Sequence, residues 1–230
     1  MDIVARVAAL EDRIARACAR AGRPRSAVTL VAVSKTHPAA LVDEAARAGI
    51  TDFGENRIQE AVAKIAAVTA AVTWHLVGHL QTNKARRALE LFRFIHSVDS
   101  VHLAQELQRR CEQLDRRARV LVEVNTSSEA SKFGVAAETL PALADAVAGC
   151  DRLDFTGLMT IGPGWAVTDP EASRPCFRLL ARLARDTRQR LGIPLPHLSM
   201  GMSADFEPGI EEGATIIRVG TAVFGPRPAA

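Results

Sequence analysis

A closed barrel of eight parallel strands alternating with helices, one (β/α)8 TIM barrel with an extra N-terminal helix, is the α/β fold this sequence predicts. Three observations carry the expectation. Eight short apolar runs recur along the 230 residues, with helix-period segments between them. The turn after the first run is "SKTHP", not the glycine-rich turn that an open doubly wound sheet wants there. No linker, low-complexity tract or repeat interrupts the alternation, so residues 1–230 are expected to form one domain.

In chain order, "MDIVARVAALEDRIARACARAGRP" reads as an amphipathic helix over 1–22, packed on the barrel; its acidic residues argue against a signal peptide. Strands are expected at 28–34, 50–55, 73–79, 93–99, 119–125, 153–160, 197–202 and 215–220. Helices are expected at 38–48, 57–68, 83–91, 100–116, 136–148, 171–191 and 205–212. Thr36-His37-Pro38, Asn83 and Pro170 mark helix starts, and Gly49 and Gly192 stand where helices end. "GPGWAVTDP" (162–170) reads as a long loop after the sixth strand, and the chain ends at "FGPRPAA" soon after the eighth, so no second domain is expected.

Composition narrows the function. The net charge of +3 is mild and the arginines are spread along helix faces such as "RLLARLARDTRQR" (178–190), which argues against nucleic-acid binding. No apolar run approaches the roughly 18–20 residues of a membrane span. Cys18, Cys111, Cys150 and Cys176 are far apart with no C-x-x-C pair, which suits free thiols in a reducing cytoplasm and gives no metal-ligand spacing. Only four of the 29 basic residues are lysines (Lys35, Lys64, Lys84 and Lys132), so a lysine here is a choice over arginine. There is no tyrosine, which removes that side chain from any mechanism.

In such a barrel the chemistry lies at the C-terminal strand ends. There the sequence places Lys35, Glu55, Asn56, His79, Asp99, Asn125, Met159, the set Ser199–Ser203, and Arg218, Gly220 and Thr221. The last two strands offer Ser199 and Ser203 hydroxyls, Gly201 and Gly220 backbone and the Thr221 hydroxyl, in the position where such barrels hold phosphate. Arg218, amid Ile216, Ile217 and Val219, is a cation in need of a partner. If Lys35 shares a face with Val31 and Val33, its amine sits over an apolar layer; desolvation then favours the neutral, nucleophilic form, which arginine cannot supply. The plain alternative is a lysine bound to Glu55 or Asp99. A nucleophilic lysine facing a phosphate cradle fits either a Schiff base with a sugar phosphate or retention of pyridoxal 5′-phosphate (PLP).

Seven stretches taken together resemble one family: "AVSKTHP" (32–38), "FGENRIQEA" (53–61), "WHLVGHLQTNK" (74–84), "VEVNTSSEASKFGV" (122–135), "GLMTIGP" (157–163), "LSMGMSADFEPGIEEGAT" (198–215) and "IRVGTAVFG" (217–225). They are similar, in order and over nearly the whole chain, to the pyridoxal phosphate homeostasis proteins, the alanine-racemase-like PLP-binding proteins. The resemblance implies a barrel like the N-terminal domain of alanine racemase, with Lys35 as the Schiff-base lysine and Asn56 beside the ring. Ser199, Gly220 and Thr221 would hold the phosphate, helped by the backbone of Met200, Gly201 and Ser203, and Arg218 would face the pyridine nitrogen. A guanidinium there leaves that nitrogen unprotonated and the cofactor a weak electron sink. The resemblance assigns no residue a catalytic role. His79 reads as a core or supporting histidine, and Lys132 as the partner of Glu129.

The implied role is to hold PLP and contribute to its intracellular supply without strong turnover, as a cytoplasmic monomer whose only protein partners are transient apo-enzymes. A racemase is the first alternative. In alanine racemase the second acid/base is a tyrosine from a partner subunit's C-terminal domain, and this sequence shows neither. A cofactor-free Schiff-base aldolase is the second; it would be colourless as purified.

Overall fold

Period-two alternation along a barrel strand sends one side chain into the interior and the next against the surrounding helices. The computed structural model, which describes residues 2–226 apart from 128 and 130, sorts the strands this way. The barrel is built from β1 (Thr29–Val33), β2 (Asp52–Glu55), β3 (Thr73–Leu76), β4 (Phe94–Val98), β5 (Ala118–Asn125), β7 (Leu153–Met159), β8 (His197–Ser199) and β9 (Ile216–Val219). A two-residue strand, β6 (Val135–Ala136), runs beside the end of β5. All pairings are parallel; β1 lies between β2 and β9, and β4 pairs with β5 to close the ring.

The intervening helices are α2 (Ala39–Arg47), α3 (Ile58–Ala67), α4 (Ala85–Leu91), α5 (Val101–Gln113), α6 (Leu140–Ala148), α7 (Arg174–Leu191), α8 (Phe206–Glu211) and α9 (Thr221–Phe224), preceded by α1 (Ile3–Arg20). Leu30, Ala32, Phe53, Trp74, Leu76, Ile95, Val120, Val122, Leu158 and Ile217 pack outward into one apolar layer with these helices. A smaller apolar group, Phe94, Leu121 and Met159, fills part of the interior. Val31 and Val33 also face inward, against Gly54 on β2.

The expected elements are all present; β5 is one residue longer than expected and the other strands are shorter, and β6, α9 and short 3-10 turns are added. Helix α6 starts at Leu140 rather than 136 because Val135 and Ala136 pair with Val124 and Asn125. The 162–170 stretch includes a 3-10 turn, Gly164–Val167. Gly192 ends α7 in the left-handed conformation, as its position suggests. Cys18, Cys111 and Cys176 are buried and Cys150 partly so, all as free thiols. Among the described residues no helix is long and apolar enough to cross a membrane.

Helix α1 packs on the side of the barrel, against α8, α9 and α2. Asp2 caps it by accepting from the Ala5 amide, and Ile3, Val7, Leu10, Ile14, Ala17 and Cys18 form its buried face. Its polar flank reaches α8 through Arg13–Glu207, Arg20–Glu207 and Arg20–Glu211 ion pairs. These are largely exposed, so the apolar face supplies most of the stabilisation.

A second buried contact fixes the end of β1. Glu55 is fully buried and points out of the barrel, where its Oε1 accepts from Lys64 Nζ of α3 and from Ser34 Oγ, both at 2.6 Å. Lys64 also donates to the Ser34 carbonyl at 2.6 Å. Glu55, one of the two carboxylates expected as the plain alternative partners of Lys35, is thus paired with Lys64. Removing one member of a buried pair leaves the other charge uncompensated. Lys64→Ala is expected to lower stability by about 3–5 kcal/mol in urea unfolding, with Glu55→Gln/Lys64→Met recovering most of the loss; a Lys64→Ala effect below about 1 kcal/mol, the range of an exposed pair, would contradict this description.

Candidate functional site

Strand β1 ends in a tight turn that carries Lys35. The His37 amide donates to the Ser34 carbonyl (3.0 Å), and Thr36 has φ of 68°. A positive φ at the third position is the mark of a type II turn, usually a glycine's place, and is strained for a β-branched residue. The Thr36 hydroxyl donates to the Lys35 carbonyl at 2.5 Å. His37 is buried and stacks on Phe224 of α9, ring centroids 5.1 Å apart. The turn is therefore clamped from β2 by the Glu55–Ser34 contact and from the β9–α9 segment by this stack. Lys35 itself is part-buried between them.

The segments after β8 and β9 meet beside it. Gly220 approaches the end of β1 so closely that a Cβ there would lie 3.2 Å from the Val33 carbonyl oxygen. Its amide donates to Ser203 Oγ at 3.2 Å, which joins the two segments. Gly201 has φ of 90°, and a Cβ would press on the Phe206 backbone at 2.8 Å, so only glycine suits this bend. Asp205 is buried and organises the bend, accepting from the Met202 amide (2.6 Å) and from Ser173 Oγ (2.5 Å).

Arg218 projects inward from β9, in register with Val31 of β1. Its Nη1 donates to Ser199 Oγ at 2.6 Å and its Nη2 to the Thr160 carbonyl at 2.8 Å. Burial lowers its pKa to about 10, opposed by the charges of Asp205 and Glu123, so it remains a cation at neutral pH. Glu123 is buried in the interior on β5; burial, then repulsion from Asp99, pushes its carboxyl up to about 7, with Arg218 opposing.

The opposite rim is polar. His79 Nδ1 is 3.1 Å from Asp99 Oδ2, and its ring stacks on Phe133 at 4.0 Å. A cleft of about 490 Å³ beside the mouth is lined by Asn56, His79 and Lys84 among others, but by neither Lys35 nor Arg218. Chemistry rather than concavity marks the strand ends as the candidate site. Lys132 pairs with Glu129 at 2.7 Å and donates to the Gly162 carbonyl, which ties the β5 and β7 loops together.

The structure thus brings Lys35, Gly201, Ser203, Arg218, Gly220 and Thr221 to one end of the barrel, with Asn56 partly buried in the loop after β2. Two expectations change and a third narrows. The Ser199 hydroxyl lies in the buried interior, engaged by Arg218 and His96, because its strand position points inward below the loop. The Met200 amide donates to the Ile216 carbonyl within the sheet and is not presented at the mouth. His79 stands at the rim beside Asp99, so of its two expected roles, core or supporting, the supporting one remains. Sequence reasoning missed His75, His96, Asp52, Glu123 and Asp205. The histidines at mid-strand in "TWHL" and "FIHSV" were the available signal.

Fold and site together define a parallel barrel of the alanine racemase N-terminal type, and the model of that domain matches residues 6–228. A protein of Aquifex aeolicus described as a pyridoxal phosphate homeostasis protein is 41% identical over 99% of both chains. The solved structure of PipY from Synechococcus elongatus with PLP bound is 38% identical, with a TM-score of 0.84 over 97% of this chain and all of that one. An alanine racemase of Clostridium difficile shares the fold alone, at 14% identity and a TM-score of 0.77, over 95% of this chain and 56% of the racemase. The chain belongs to the pyridoxal phosphate homeostasis protein family.

The folded-state pKa of Glu123 lies above its unfolded value, so the native state holds the extra proton between about pH 4.5 and 7. Stability therefore falls as pH rises through that window, by about 3 kcal/mol when complete. Glu123→Gln, which cannot ionise, should match the wild type near pH 5 and exceed it in thermal melts at pH 8. An equal difference at both pH values would contradict the assignment.

Proposed function

We propose that this protein binds PLP at the strand ends, holding its aldehyde on Lys35, and contributes to intracellular PLP homeostasis and delivery without strong turnover. The observation that carries the reading is the pairing of one lysine, on a strained and doubly clamped turn, with a buried arginine four residues back in register. The donor set fits the cofactor: an amine for the aldehyde, hydroxyls of Ser203 and Thr221 with glycine backbone for the phosphate, and a fixed cation for the ring. The PLP-bound structure of the Synechococcus relative supports it.

Bound there, PLP supplies an aldehyde and an electron sink whose strength depends on protonation of its ring nitrogen. The residues of this chain set the terms. Lys35 would hold the aldehyde through its amine, which is nucleophilic in the free-base form. Gly201, Ser203, Gly220 and Thr221 would hold the phosphate and Asn56 would line the ring, with Ser199 supporting Arg218 rather than the phosphate. Arg218 keeps its proton at neutral pH, so it would serve the ring nitrogen as a hydrogen-bond donor and not as a proton source. That weakens carbanion chemistry and favours a holding role over racemisation, as does the absence of tyrosine. We further assign residues 1–230 to one domain, acting in the cytoplasm as a monomer with transient apo-enzyme partners.

Titration of the wild type with PLP should give a yellow protein. Lys35→Ala should stay colourless under the same titration, while Lys84→Ala turns yellow; colour in Lys35→Ala would overturn the assignment. Pure protein in deuterated buffer should leave the alanine α-hydrogen unexchanged, and rapid exchange would mark it as a racemase.

A further inference from the structure

Five polar side chains cross the barrel interior in single file. Arg218 Nη1 lies 2.6 Å from Ser199 Oγ, which is 2.9 Å from His96 Nδ1. His96 Nε2 lies 2.9 Å from His75 Nδ1, and His75 Nε2 lies 2.9 Å from Asp52 Oδ1. The two histidines, Ser199 and Arg218 are buried. Asp52 opens β2 at the end of the barrel away from Lys35, where its side chain keeps 20% of its surface.

We propose that Asp52 is a positioning residue for Arg218, acting through a one-way hydrogen-bonded file in which His75 and His96 are both neutral Nε2–H tautomers. Valence fixes the direction from the Asp52 end. A carboxylate only accepts, so a neutral His75 donates from Nε2 to Asp52 and accepts at Nδ1. A neutral His96 then donates from Nε2 to His75 and accepts at Nδ1. A guanidinium only donates, so Ser199 accepts from Arg218 and keeps its single hydrogen for His96 Nδ1. The Arg218 end fits the orientation that the Asp52 end demands, and each hydrogen bond polarises the next.

The surroundings agree. Although burial alone would raise Asp52, hydrogen bonds from His75 and Thr51 hold it below the ordinary carboxylate range. Burial, with the nearby charge of Arg218 acting in the same direction, holds His96 well below the usual imidazole range. Phe94 stacks flat on His75 at 4.6 Å, which fixes the ring plane the file needs. With Nη1 held by the file and Nη2 by the Thr160 carbonyl, the guanidinium has one orientation to offer a ligand. The inference rests on the PLP reading only for what Arg218 faces.

Imidazole 15N NMR of the cofactor-free protein tests it independently of PLP. His75 and His96 should each show a protonated Nε2 and an unprotonated Nδ1 at neutral pH. In Asp52→Ala the His96 signals should move as well as those of His75. PLP binding should weaken by about three- to tenfold, the loss of one ordinary hydrogen bond, and the absorption of bound PLP should shift. In a His96→Leu background Asp52→Ala should add no further effect. An Nδ1–H tautomer or a cationic imidazole at either histidine of the wild type would overturn the file, whether or not the protein binds PLP. So would an Asp52→Ala variant in which only His75 responds.

Discussion

A guanidinium buried inside a barrel is the constraint around which the rest of the interior is arranged. Arg218 cannot shed its charge at neutral pH, and an uncompensated buried charge costs several kcal/mol. Its neighbours answer that cost in two ways. The Ser199 hydroxyl and the Thr160 carbonyl accept hydrogen bonds from it directly, and the carboxylate of Asp205 stabilises the charge at longer range. The consequence is an interior that mixes the apolar layer of Phe94, Leu121 and Met159 with histidines, a serine and an acid. A cavity made only to be filled would have no need of that set.

Lys35 and Lys64 divide the work at the end of β1. Lys64 is spent on structure, neutralising Glu55 and gripping the Ser34 carbonyl. That contact, with the His37–Phe224 stack, holds the strained Thr36 and leaves Lys35 on a turn whose geometry is set from both sides. Helix α1 contributes from further out by pinning α8, which follows the Gly201 bend. Position for the amine, the cation and the glycine-lined segments thus comes from packing behind the site.

Much of this was legible beforehand, because the signals are local. Strand runs, helix periodicity, the lysine at a strand tip and an arginine amid isoleucines are each visible within a few residues. What depends on three-dimensional pairing was not. Nothing in "ITDFGE" says that Asp52 reaches His75 or that Glu55 turns outward to Lys64, since facing depends on where the strand starts in the barrel. Nor does "HLSMGM" say which way the Ser199 hydroxyl faces: β8 stops at Ser199, three residues short of the expected end, and the side chain turns inward to Arg218. The four-residue α9 is too short for any periodicity to reveal.

The central claim is that Lys35 is the amine that holds the cofactor. Borohydride reduction of the PLP-loaded protein, followed by proteolysis and mass mapping, tests it most directly. The account predicts loss of the yellow absorption and a single reduced pyridoxyl adduct on the peptide containing Lys35. An adduct on Lys64, Lys84 or Lys132 instead, or none at all on a protein that remains colourless with added PLP, would contradict it.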